Sequence, residues 1–174
     1  MGQIGKMIAS TGSIGPINAQ RLLNGVTPAN FARLARPWGV VVHSNHPAFA
    51  FGHLGLYPAR VMERLGLPRG ETSYPAEYEA LFKSGVECRD DSEGVIYPPM
   101  ATITSWFFAD YRQALAALSE ASDEVLCAPN PAEGRMRELF PTLGAMLMFY
   151  VDGHVQNHLG QLSAWRRAMG MPPA

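Results

Sequence analysis

PTLGAMLMFYVDGHVQNHLGQLSAWRRAM, residues 141–169, carries the hydrophobic pattern on which the fold turns. Leu147, Tyr150, His154, His158, Gln161 and Trp165 recur at three- and four-residue spacing, the period of one helical face. Gly170-Met171-Pro172-Pro173 follows as a stop signal. At about 1.5 Å per residue a helix over this stretch is roughly 40 Å long, enough to run the height of a helical bundle.

Working back along the chain, Pro and Gly divide the rest into helical stretches. A helix is expected over 100–121, with Ile103, Phe107, Tyr111, Ala114, Leu115 and Leu118 on one side. Another is expected over about 45–65, with Asn45 as its cap and Pro47 in its first turn. Gly66-Leu67-Pro68 stops it. A first stretch over 17–35 is dented at Thr27-Pro28, so it reads as one kinked helix or two short ones. Residues 1–15 are interrupted by Gly2, Gly5, Gly12 and Gly15 and show no apolar signal core. Residues 40–43 read as an extended loop. Residues 67–99 form a long irregular segment with a short helix near 78–82, and a loop of that length is usually functional or a packed lid. The expectation is an all-α chain, most simply a four-helix bundle, in one domain over residues 1–174.

Composition narrows the function classes. Hydrophobic residues make up 47% and charged residues 17% of 174, which excludes an intrinsically disordered chain and leaves a fairly neutral surface suited to self-association. Lys and Arg number 14 against 15 Asp and Glu, so no broad basic face exists to bind nucleic acid. The longest apolar run, 143–151, is about half of what a bilayer span needs. Cys88 and Cys127 lack CxxC spacing and read as reduced thiols. A cytoplasmic protein without nucleic-acid or membrane partners is expected.

The chemistry concentrates in histidines. His154 and His158 stand four residues apart on the stripe of the last helix, so both project from one face. His53 lies on the face of the 45–65 helix that carries Phe49, Leu56 and Tyr57. Where two inward faces meet, three imidazoles can share a zinc, nickel or iron ion and leave one position open. The zincin reading fails because Val155 stands where HExxH needs Glu. Di-iron bundles fail for lack of inward Glu-x-x-His pairs. A core role for all three histidines is the competing reading.

The segment His154-Val155-Gln156-Asn157-His158-Leu159-Gly160-Gln161, followed by Trp165-Arg166-Arg167 and Gly170-Met171-Pro172-Pro173, resembles the C-terminal signature of the DinB-like superfamily. Asn45-His46-Pro47 through Phe51-Gly52-His53-Leu54 is similar to that family's N-x-x-x-x-x-GHL segment. The resemblance implies a four-helix bundle, often a homodimer, with a divalent metal on His53, His154 and His158. It also implies a metal-dependent transferase or hydrolase acting on a small molecule, with a low-molecular-weight thiol among the candidate co-substrates. The alternative is a non-catalytic, metal-stabilised bundle dimer acting in binding or stress response. Many relatives carry Trp shortly before the first histidine, where this chain has Phe49 and Phe51, a change of pocket shape rather than of ligands.

Other residues are expected to be structural. Gly160 is expected at a close helix contact, Gln161 in an inter-helix hydrogen bond or orienting a ligand, and Arg166 and Arg167 against the helix dipole. His43 and His46 are expected near the pocket mouth, Tyr57 in the core or on a bound water, and Cys88 in the long loop.

Overall fold

The computed structural model describes residues 2–69 and 75–174. Among them the chain is all-α, with no strand and one isolated bridge between Pro129 and Thr142. Among the described residues no helix is long and apolar enough to cross a membrane.

The N-terminal helix starts earlier than expected. Helix α1 spans Gln3–Gly12 and continues through Ser13 into α2, Ile14–Leu22. The glycines that read as breaks are contact points instead. A Cβ at Gly5 would stand 2.2 Å from the Leu118 carbonyl oxygen, and one at Gly12 would stand 2.8 Å from Leu115. The backbone of α1 therefore lies against helix α6, Met100–Glu120, closer than any side chain would permit. Asp123, in the short α7 (Asp123–Cys127), accepts from the backbone N–H groups of Gln3 and Ile4 at 3.2 and 2.9 Å. These are otherwise unsatisfied donors at a helix N-terminus.

The dent at Thr27-Pro28 resolves into a separate turn of helix, α3 (Pro28–Phe31), with Asn30 Oδ1 accepting from Thr27 N–H at 2.8 Å. Helix α4, Pro47–Arg64, is capped by His46 rather than Asn45, because the His46 Nδ1 accepts from Phe49 N–H at 3.2 Å. The opposite nitrogen, Nε2, donates to the Arg89 carbonyl at 2.9 Å, so both edges of this buried ring are used. Pro58 lies inside α4 without an N–H to offer Leu54, and Tyr111 Oη donates to the Leu54 carbonyl instead, at 3.3 Å. A kink-prone residue is thus accommodated by a neighbouring helix.

Helix α5 (Ala76–Phe82) belongs to the long irregular segment, and α8 (Arg135–Leu139) to the connection before the last helices. The final run starts at Thr142, whose hydroxyl accepts from Ala145 N–H. It comprises α9 (Leu143–Met148), a π turn at Phe149–Gly153 and α10 (His154–Ala168). α4 packs on α6, α6 on α1, and α10 on both α2 and α4. Phe51, Leu54, Phe107, Tyr111, Leu147, Val151 and Val155 fill the space between them.

Two expectations about α10 change. Arg166 is buried and donates to the carbonyls of Leu22, Asn24 and Pro172, so it ties the end of α2 to the C-terminal residues rather than only facing the helix dipole. Gly160 meets nothing within 4 Å of a built Cβ, so no close helix contact explains it. Gly160→Ala is accordingly expected to stabilise the chain by about 0.5–1 kcal/mol, through helix propensity alone. Urea unfolding checks this: a midpoint at or below that of the wild type would show a contact that the geometry lacks.

Candidate metal centre

His53 from the middle of α4 and His154 and His158 from the first turns of α10 meet in the interior, at 6%, 9% and 8% exposure. The π turn ends where His154 begins. Such turns alter the register of the face that follows and recur at functional sites. Here it leaves Val151 and Val155 in the core while His154 faces α4.

The ring nitrogens converge. His154 Nε2 lies 3.1 Å from His158 Nε2 and 3.2 Å from His53 Nε2. The far edges of two rings are held by acceptors. His53 Nδ1–H donates to the Phe82 carbonyl at 2.6 Å, and His158 Nδ1–H donates to Gln161 Oε1 at 3.0 Å. Gln161 Oε1 also accepts from Asn45 Nδ2 at 2.8 Å, which fixes the orientation of that amide. With Nδ1 carrying the hydrogen, the neutral rings of His53 and His158 present Nε2 lone pairs to the cluster. His154 has one hydrogen at most to share between them, so one close N···N contact is left without a proton. A divalent ion bound at about 2.0–2.1 Å by each nitrogen satisfies all three lone pairs at once. The donor set therefore fits a metal.

Burial also sets the protonation state the ligands need. It pushes His154 down to about 3, with the neighbouring His158 and His53 adding to the effect, and His158 down to about 4. His53 is lowered by the same cause. All three are neutral and ready to coordinate at neutral pH. The unfolded imidazoles titrate near about 6.5, so between that value and about 4 unfolding takes up protons. The metal-free protein is thus expected to lose stability as pH falls from about 6.5, at up to about 1.4 kcal/mol per pH unit for each imidazole, and to show no such slope above pH 7. Melts of chelated protein between pH 5 and 8 check this. A flat profile would mean that the rings are not held neutral.

A cleft of about 290 Å³ opens on the cluster, lined by Asn45, Phe49, Tyr57, Val86 and Asn157 among others. Its outer edge is the exposed turn Lys83-Ser84-Gly85, which follows α5. The long 67–99 segment therefore supplies both the acceptor for His53 and one wall of the site. Tyr57 packs against the histidines at an angle, its ring centre 4.2 Å from that of His154 and 5.4 Å from that of His53. Burial raises its hydroxyl above the ordinary range, so it stays protonated. A larger groove of about 410 Å³, along Arg21, Gly160 and Ser163, contains none of the three histidines.

The remaining candidates stand apart. His43 is exposed and lines no part of the cleft, and His46 is the cap of α4. Cys88 is half-buried outside the cleft lining, its thiol pushed up to about 11 by burial, so it is no ready nucleophile. Sequence reading missed the Phe82 carbonyl and assigned Asn45 to capping, whereas Asn45 works through Gln161 on His158. Outer partners of this kind commonly change metal affinity 10- to 100-fold. Gln161→Leu is expected to weaken metal binding by about that factor while leaving the stoichiometry at saturation unchanged. Competition with a chromophoric chelator measures it, and unchanged affinity would remove Gln161 from the site.

Comparison with known protein families, curated proteins and solved structures returned no match for this chain.

Proposed function

We propose that the protein is a mononuclear, divalent-metal-dependent enzyme on a DinB-like four-helix bundle, with His53, His154 and His158 as ligands. The reading rests on one observation: the buried Nε2 atoms of His53 and His158 both lie within hydrogen-bonding distance of His154 Nε2, and both are turned inward by Nδ1–H bonds to Phe82 and Gln161. Zinc or nickel suits an all-imidazole set, and iron is also accepted. When bound, such an ion supplies Lewis-acid chemistry, lowering the pKa of a water or thiol that reaches it.

The chain's own residues hold the ligands neutral and oriented, and Phe49, Tyr57 and Val86 wall the approach with apolar surface. Among the described residues no Asp, Glu or Cys lines the cleft, and no side chain there stands out as a general base. That pattern suits thiol transfer or hydrolysis in which the co-substrate itself attacks. The open cleft argues against a purely structural metal knot, whose coordination the protein closes by itself.

The test is turnover by zinc-, nickel- and iron-loaded protein on a panel of electrophiles and esters, with and without a low-molecular-weight thiol. Activity that disappears with chelator and in His158→Ala is the expected result. No turnover with any ion would overturn the enzyme reading.

A further inference from the structure

The charges around the site are unbalanced in one direction. The three ligands are neutral, and the outer partners of His53 and His158 are a backbone carbonyl and a carboxamide, so among the described residues no carboxylate stands behind them. Among the described residues no Asp or Glu lines the cleft, whereas Lys83 does, and its ammonium forms no ion pair with any of them. Beside it stand the exposed hydroxyl of Ser84 and, between the two ligands of α10, the exposed amide of Asn157. A site holding a divalent cation, an unpaired ammonium and neutral donors, within low-dielectric walls, attracts anions and repels cations.

We propose that Lys83 is a specificity-determining residue and that the substrate of this site is a small molecule bearing a carboxylate. The inference rests on the metal-site reading above and adds the substrate's chemical class. Size limits the substrate: a cleft of about 290 Å³ holds on the order of ten water volumes of about 30 Å³ each, hence a ligand of comparably few non-hydrogen atoms. Charge limits it further. Lys83 is a single ammonium at the C-terminal end of α5, where helix carbonyls carry partial negative charge. One such group balances the single charge of a carboxylate and under-compensates a phosphate dianion. A reactive group at the histidines and a carboxylate at Lys83 would orient the molecule along the cleft.

The test uses cobalt(II)-loaded protein, whose visible spectrum reports both the occupied site and any thiol that reaches it. It is titrated at low salt with 3-mercaptopropionate and with 3-mercapto-1-propanol, which share the thiol and chain length and differ in the carboxylate. The expected result is that the acid binds about five- to tenfold tighter, that Lys83→Ala brings the ratio close to one, and that Lys83→Arg retains it. An acid preference due only to chelation of cobalt would survive Lys83→Ala, and that result would overturn the proposal. Equal binding of the two thiols to the wild type would overturn it as well, with the cobalt spectrum leaving the metal site standing. Failure to take up cobalt at all would overturn the metal reading and this proposal together.

Discussion

Adding a chelator to the metal-loaded protein is expected to lower its melting temperature by roughly 10 °C and to leave His154→Leu unmoved. His154 is the histidine whose Nε2 lies close to both of the others, at 3.1 and 3.2 Å, so its loss opens the cluster. An ion present at a thousand times its dissociation constant stabilises the folded state by about 4 kcal/mol. For a chain of this size each kcal/mol shifts the melting temperature by about 2–4 °C, which gives the stated figure. The metal-free comparison should run the other way. His154 Nδ1 is buried without a hydrogen-bond partner among the described residues, a condition that costs about 1–3 kcal/mol. His154→Leu removes that atom while keeping the site filled with apolar volume. Stripped of metal, the variant should therefore melt at or above the stripped wild type. Differential scanning fluorimetry with and without chelator gives all four values. A chelator effect of equal size in both proteins would place the stabilising ion elsewhere.

Gly52→Ala is expected to destabilise the chain by about 1–3 kcal/mol and to weaken metal binding about 10- to 100-fold. In an open helix position the same change stabilises by up to about 1 kcal/mol, so the sign is reversed here. The reason is Phe82. A Cβ at position 52 would stand 2.4–2.6 Å from three atoms of its ring. Phe82 is fully buried against Phe49 and Tyr97 and has no space to withdraw into. If its backbone shifts, the carbonyl that accepts from His53 Nδ1 shifts with it. A second substitution separates this from general damage: Phe82→Leu in the Gly52→Ala background should recover part of both losses. Urea unfolding and chelator competition on the single and double variants measure the two effects. Gly52→Ala with wild-type stability would show that the Phe82 contact is not tight.

The three histidines were legible because helical spacing puts each on an inward face and the resemblance joins the two segments that carry them. His154 and His158 recur on the same stripe as Leu147 and Trp165, and His53 shares a face with Phe49 and Tyr57. Their supporting partners were not legible, because no short-range pattern encodes them. The acceptor for His53 is a backbone carbonyl 29 positions away, and Asn45 reaches Gln161 across 116 positions. A carbonyl has no residue type to recognise, and Asn before Pro47 also has the composition of a helix cap. The N-terminal helix was hidden for a related reason. Gly5 and Gly12 read as interruptions when only local propensity is weighed, whereas contact with Leu118 and Leu115 is what requires them. Gly160 shows the reverse error, a helical glycine with open space beside it. The π turn at Phe149–Gly153 has no separate mark in the sequence.

The central claim is that His53, His154 and His158 together hold one metal ion. Elemental analysis of tag-free protein by mass spectrometry, beside a variant with all three replaced by Ala, tests it most directly. The account predicts about one equivalent of zinc, nickel or iron in the wild type and none in the variant. A wild-type protein that stays empty after refilling with each of these ions would contradict it, and the three imidazoles would then be core residues of a helical protein.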